Sequence, residues 1–441
     1  MRVAISFICN SYNKYSISAL AGAIESTPAT KNIPLYFLGA RNQEALINSI
    51  NGLAEKYDQV LLCFSFATTN VASVYSQVSS IRSRLADLNN LNIVYIAGGP
   101  HPTGDPDGTL SLGFDVAVIG EAEETLPEIA SSFLGSSEWR QIRGIAYKQN
   151  GNIVRTKKRK PINLNDFAPF SVAHNRLSPI EISRGCPYAC YFCQTSFIFG
   201  TKMRHRSVEE ILKYISLSKS KGTRDFRFIS PNALAYGSED GKTVNLKAIE
   251  SLLKNASEIT GKKHLFFGSF PSEVRPEALS KDALDLITRY TATKQLVIGA
   301  QTGSQRMLEL LHRQHTAEDI YNAVNLIRKA NLKAVVDFIF GLPGETEEDR
   351  RLSIKMIDNL TKAGAIIHSH TFIPLPGTPL AKCDAGVVSK DLSAYLSKLA
   401  NKGLQFGQWK KQEEMAREVT GFRQKIGSKS ASSACLDQSL F

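Results

Sequence analysis

The chain has 441 residues, 43% apolar and 21% charged, with 30 Gly and 17 Pro; this excludes a disordered or fibrous polymer and allows two or three domains. Fifty-three Lys and Arg against 41 Asp and Glu leave a net charge of +12, which admits a nucleic-acid partner but reads equally as a basic solvated surface, because the cations are scattered. No apolar run reaches the ~18 residues of a membrane span, and MRVAISFICNSYNKY lacks the apolar stretch and cleavage site of a signal peptide, so the expected compartment is the cytoplasm.

In chain order, strands are expected at Val3–Cys9, Ile33–Leu38, Gln59–Phe66, Asn92–Gly99 and Asp115–Gly120, with helices near Ser16–Ser26, Val71–Asp87 and Glu121–Leu134. Continuous apolar strands separated by helices imply an α/β domain with a parallel sheet covered on both faces. Residues 1–138 therefore read as Rossmann-like, with ligands beyond the carboxyl ends of the strands. Asn150-Gly151 between two alternating runs predicts a hairpin, and Pro161 and Pro169 mark irregular chain, so 139–172 reads as hairpin and linker.

Over 173–385 the alternation resumes, with strands at Ile180–Arg184, Asp225–Ser230, His264–Phe270, Gln295–Gln301, Val335–Gly341 and Ile366–Ile373. Helices follow at Ser207–Ser220, Asn245–Thr260, Pro276–Arg289, Thr316–Asn331 and Glu345–Ala363. Six strands with intervening helices predict a partial (β/α)6 barrel, whose chemistry sits at the carboxyl strand ends. Residues 386–441 read as helices at Asp391–Leu399 and Trp409–Lys425 and a Ser-rich disordered end.

Seven cysteines stand at 9, 63, 186, 190, 193, 383 and 435. An odd number, mostly far apart, argues against a disulfide framework, and Cys383 and Cys435 read as incidental. Cys186-Pro-Tyr-Ala-Cys190-Tyr-Phe-Cys193 places three thiols on one loop after the first barrel strand. Soft thiolates suit an iron–sulfur cluster or zinc. Structural zinc wants a fourth Cys or His at motif spacing, and the next His, His205, lies twelve residues on. Three ligands on a four-iron cluster leave one iron open to an exogenous ligand. Buried free cysteines and structural zinc are the alternatives.

This loop, with Phe192 before the third Cys, closely resembles the cluster motif of radical S-adenosylmethionine (SAM) enzymes. The resemblance continues in Met203-Arg-His-Arg-Ser-Val-Glu-Glu-Ile, Ile298-Gly-Ala-Gln301-Thr-Gly-Ser304, Phe340-Gly-Leu-Pro-Gly344-Glu-Thr and Phe372-Ile-Pro-Leu-Pro-Gly-Thr-Pro. Two positions depart from it: Gln301 stands where Glu is usual, and Ser230-Pro-Asn232 where an acidic residue is common. The resemblance implies a 4Fe–4S cluster on Cys186, Cys190 and Cys193, with SAM near Phe192, Ser230, Asn232, Gly299, Gln301, Gly303 and Ser304. An electron from the reduced cluster then splits SAM into methionine and a deoxyadenosyl radical, which requires a reducing partner such as ferredoxin or flavodoxin. The glycines read equally as an ordinary strand-to-helix turn.

Val60-Leu-Leu-Cys-Phe-Ser65-Phe-Ala-Thr68-Thr69-Asn, Ala97-Gly98-Gly99-Pro-His101-Pro-Thr103 and Val118-Ile-Gly120-Glu121-Ala-Glu123 resemble the cobalamin-binding-type domain fused to radical SAM barrels. This implies cobalamin contacts from Ser65, Thr68, Thr69, Gly98, Gly99 and His101. A Rossmann domain without cobalamin is the alternative. Where many cobalamin proteins carry an Asp-x-His-x-x-Gly loop, this chain reads Cys9-Asn-Ser-Tyr-Asn-Lys-Tyr. The combined resemblance, over residues 3 to 380, implies a cobalamin-dependent methyltransferase acting on an unactivated carbon of a small molecule, lipid, peptide or RNA. A methylthiotransferase-like RNA-modifying enzyme is the competing reading, weakened because Cys9 and Cys63 have no third cysteine near them. His368 and His370 alternate on the sixth strand and share one face, either inward toward substrate or outward against helices.

Overall fold

The computed structural model describes residues 1–39, 41–86, 92–135, 137–425 and 435, which form two compact units. The first contains Met1–Ser178. Its strands are β1 (Val3–Cys9), β2 (Leu35–Gly39), β3 (Gln59–Ser65), β4 (Ile93–Gly98), β5 (Val116–Val118), β6 (Ile145–Gln149) and β7 (Asn152–Arg155). They lie in the order β2-β1-β3-β4-β5-β6-β7. The first five are parallel, and β6 and β7 are antiparallel. In β1 and β3 nearly every residue is buried, as expected of strands covered on both faces. Chain order reverses between β1 and β3, which opens the ligand crevice of a doubly wound sheet at their carboxyl ends.

The five parallel strands fall where the apolar runs place them. The helix Gln43–Lys56 was not among the expected elements; Gly52 and two asparagines dilute its pattern, but Leu46, Ile47, Ile50, Leu53 and Ala54 form one buried stripe. Asn150 and Gly151 take φ of 51° and 79°, the left-handed pair that a tight hairpin turn needs. That hairpin extends the sheet. The helix at Val71 runs to Ala86; the expected last residue, Asp87, lies outside the described residues.

In the second unit, from Pro179, the strands are β8 (Ile180–Glu181), β9 (Ser183–Arg184), β10 (Arg204–His205), β11 (Phe228–Ile229), β12 (Gln295–Gln301), β13 (Lys333–Phe340), β14 (Ile366–Thr371) and β15 (Gln405–Phe406). β8 pairs with β11 in parallel, and β12 to β15 form a parallel run in sequence order. Between these two groups the expected strand His264–Phe270 is not regular: only single bridges, Phe226–Leu265 and Val274–Ile298, carry the sheet across. Gly268, at φ 68°, turns the backbone out of the ladder there. β15 adds a further parallel strand beyond the expected six. Helices Val208–Ser220, Leu246–Thr260, Lys281–Tyr290, Ala317–Lys329 and Glu347–Lys362 complete the βα pattern.

Cys383 and Cys435 are not incidental. They are disulfide-bonded, with Cα atoms 4.6 Å apart, a pairing that 52 residues of separation concealed. The rest of the Ser-rich end lies outside the described residues. Among the described residues no helix is long and apolar enough to cross a membrane.

Candidate functional site

The cysteine loop leaves β9 through Gly185, at φ 89°, whose Cα packs so closely on the Lys202 carbonyl that an added Cβ would lie 2.5 Å from it. Ser196 closes the loop: its hydroxyl donates to the Cys186 carbonyl (2.7 Å) and accepts from the Ala189 amide (3.1 Å). The Cys193 amide donates to the Cys190 carbonyl at 3.0 Å, and the Cys193 thiol donates to Thr195 Oγ1 at 3.3 Å.

All three cysteines line one cavity of about 500 Å³ at the carboxyl ends of the barrel strands. Among the described residues, these sulfurs do not belong to a group of three donors all within 4.8 Å of one another. Structural zinc would also want a fourth Cys or His at motif spacing, which this loop does not supply. Burial raises the Cys186 and Cys193 pKa values, a bias toward the thiol that metal coordination reverses. Two guanidiniums meet the middle sulfur: Arg313 Nη1 lies 3.5 Å and Arg275 Nη1 4.0 Å from Cys190 Sγ. Arg275 also stacks on the Tyr188 ring at 3.4 Å and pairs with Glu277. Arg313 Nε and Asn232 Nδ2 are buried without a partner. These observations fit a 4Fe–4S cluster with a polar co-substrate beside it.

Of the other expected SAM-site residues, Phe192, Ser230, Gly299 and Gln301 line the same cavity. The β12 ladder shifts register between Gly299 and Gln301, and Gln301 takes φ 76°. A Cβ on Gly299 would stand 2.8 Å from Gln301 Nε2 and 3.2 Å from Arg313 Nη2, so the bare Cα makes room for both. Asn232 is buried behind the wall, accepting from the Arg275 amide at 3.4 Å. Gly303 and Ser304 do not line the cavity. Gly303 packs on the helix Glu347–Lys362, and Ser304 caps Gln305–Leu310 and donates to Asp349 at 2.5 Å.

Sequence reasoning missed Glu273, Arg275, Arg313 and Asp337, which come from three separate segments and carry no shared motif. Glu273 is enclosed by the cavity walls but open to its solvent; enclosure, and then the Asp337 carboxylate, raise its pKa. His368 and His370 lie on β14 opposite Asp337 on β13, and His370 and Asp337 line the cavity, which settles their inward direction.

In the first unit, Ser65, Thr68, Gly99 and His101 gather at the ends of β3 and β4. Ser65 Oγ shares a 2.8 Å hydrogen bond with Ser16 Oγ, and Thr68 Oγ1 lies 3.2 Å from His101 Nδ1. Gly99, at φ 102°, packs on the Phe66 carbonyl, whereas a Cβ on Gly98 would meet only Val118, at 3.9 Å. Thr69 reaches Asn70 at 3.5 Å. Asn13 donates to the Ile8 and Ser65 carbonyls (2.9 and 3.1 Å), tying the ends of β1 and β3 at the crevice. No imidazole stands on the β1 loop, so any corrin held here lacks a lower ligand from that loop.

Burial pushes the His101 pKa down to about 4, and Nε2 has no partner. An unfolded His takes its proton near pH ~6.5, so this stability is intact above that value and falls as pH drops toward ~4, by roughly 3 kcal/mol. The urea midpoint of His101→Asn is therefore expected to change less between pH ~6.5 and ~4 than that of the wild type.

With the geometry in place, the similarity to known proteins is informative. The family model for the B12 binding domain matches residues 32–130, and that for the radical SAM superfamily matches residues 180–357. An uncharacterized methyltransferase of Pyrococcus horikoshii is 27% identical over 396 residues, covering 81% of this chain and 80% of its own. A tRNA-2-methylthio-N(6)-dimethylallyladenosine synthase of Ehrlichia ruminantium is 25% identical over 370 residues, covering 79% and 75%. Among solved structures, the radical SAM methyltransferase TsrM of Kitasatospora setae, with cobalamin and a [4Fe-4S] cluster bound, superposes with a TM-score of 0.67 at 16% identity, over 86% of this chain and 74% of that one. The cobalamin-dependent SAM radical enzyme OxsB superposes at 0.64 and 15% identity over 81% of this chain, which spans about half (52%) of that structure. These likenesses show a shared fold.

The chain belongs to the radical SAM superfamily, with a B12-binding domain preceding its radical SAM domain, and is an enzyme. A 4Fe–4S cluster, SAM and cobalamin are the cofactors this pairing of domains implies.

Proposed function

We propose that the protein is a cobalamin-dependent radical SAM methyltransferase acting on an unactivated carbon. One observation carries the reading: the three thiols of one short loop line a single cavity, in a chain that also bears a B12-binding domain. When bound, the cluster and SAM supply a deoxyadenosyl radical, and cobalamin supplies the methyl group. Cys186, Cys190 and Cys193 hold the cluster. Arg275 and Arg313 offset its negative charge and that of the thiolates. Gln301 and Ser230 orient SAM, with Gly299 leaving room for the Gln301 and Arg313 side chains. Phe192, Phe199, Val274 and Pro271 supply the apolar wall that keeps water from a reactive radical. A low-potential electron donor of the ferredoxin or flavodoxin class completes the reaction.

The name of the Ehrlichia relative supports a methylthiotransferase reading. Against it, Cys63 is fully buried within β3 and Cys9 is the other thiol among the first unit's described residues, so no second triplet is present there. Anaerobic reconstitution with iron, sulfide and hydroxocobalamin decides between the readings. A stoichiometric corrin absorbance and dithionite-dependent release of methionine and deoxyadenosine are expected. SAM cleavage without corrin retention would instead favour a cobalamin-independent radical enzyme.

A further inference from the structure

On β13 and β14, at the cavity that the cysteine loop also lines, stands a second cluster of ligating side chains. His368 and His370 alternate on one strand, and Asp337 is the register partner of His368 on the next. Their donor atoms converge: Asp337 Oδ1 to His368 Nδ1 is 2.8 Å, His368 Nδ1 to His370 Nε2 is 3.1 Å, and His370 Nε2 to Asp337 Oδ1 is 3.9 Å. Donors around a tetrahedral ion at about 2.0–2.1 Å stand roughly 3.3 Å apart, in the middle of these three values. Hydrogen bonding alone satisfies the trio poorly. Gln412 Oε1 accepts from the Thr371 amide (3.0 Å), so its NH2 donates to His370 Nδ1 (3.1 Å) and leaves the His370 proton on Nε2. The single nitrogen of His368 between them cannot both accept from His370 and donate to Asp337.

We propose that Asp337, His368 and His370 form a binding site for a divalent first-row transition-metal ion, separate from the cysteine cluster. Two imidazoles and a carboxylate suit such ions, Zn²⁺ and Fe²⁺ foremost. The Asp337 and nearby Glu273 carboxylates favour the cation, while Arg313 opposes it. Three protein donors leave coordination positions open, and because Asp337 and His370 line the cavity, those positions face a substrate oxygen or nitrogen. Binding displaces the His370 Nε2 proton, so Gln412 is a poor outer partner for the metal-bound ring. A carboxylate at 412 would accept the Nδ1 proton and tighten the site about 10- to 100-fold.

The test uses the cluster-loaded enzyme, whose cysteines are already occupied by iron. After incubation with Zn²⁺ and gel filtration, one zinc per chain is expected beyond the iron, with X-ray absorption showing nitrogen and oxygen at about 2.0–2.1 Å. His370→Ala and Asp337→Asn should lose the zinc and keep the iron, and Gln412→Glu should hold zinc against about 10- to 100-fold more chelator. No added zinc, zinc on sulfur, or zinc undiminished in His370→Ala would overturn the site. If His370→Ala and Asp337→Asn also lose iron, Gln412→Glu decides: zinc retention no tighter than wild type overturns it. Iron content and SAM cleavage report on the cysteine cluster independently of the zinc arm.

Discussion

Cys186→Ala, Cys190→Ala and Cys193→Ala are each expected to reduce methionine and deoxyadenosine formation from SAM to background and to remove most of the bound iron. The three thiols face one cavity. Losing one ligand leaves a cluster with two exposed irons, prone to loss or to an inactive form. The fold should survive, because Cys186 and Cys193 are only partly buried and a Cys to Ala change removes a single atom. Iron analysis, circular dichroism and product chromatography on the same samples check this; wild-type deoxyadenosine yields in any of the three would refute the assignment.

Gly185→Ala should nearly match those losses without touching a ligand. Alanine at φ 89° costs about 1–2 kcal/mol of backbone strain. Its Cβ would stand 2.5 Å from the Lys202 backbone carbonyl, a contact relieved only by moving the chain, at about 1–3 kcal/mol more. Whichever way the chain moves, the next residue is Cys186, so the strain is relieved by displacing a ligand. The expected result is a protein that folds, melts a few degrees lower and retains a minority of its iron. Full iron content with unchanged SAM cleavage would show that the loop tolerates the shift.

The parallel strands of the first unit were legible because burial on both faces writes itself as apolar runs, as in Val3–Cys9, and the Asn150-Gly151 turn because few other pairs take its backbone angles. The cysteine triplet was legible because its ligands are local. The segment around Gly268 was not: its apolar residues read as a strand, but one positive φ reduces it to isolated bridges. Arg275 and Arg313 were invisible for a different reason. Each belongs to its own connecting segment, and only the folded second unit brings them to Cys190, 85 and 123 residues distant in sequence. Gly303 and Ser304, singled out as cofactor contacts, stand instead where a helix packs and starts.

The central claim is that three sulfurs hold a four-iron cluster with one iron left for SAM. Mössbauer spectra of anaerobically reconstituted, ⁵⁷Fe-enriched protein with and without SAM test it most directly. The prediction is a single iron site in four whose isomer shift rises when SAM is added, the other three unchanged. Four irons indifferent to SAM, or a preparation in which zinc rather than iron occupies the cysteines, would contradict it.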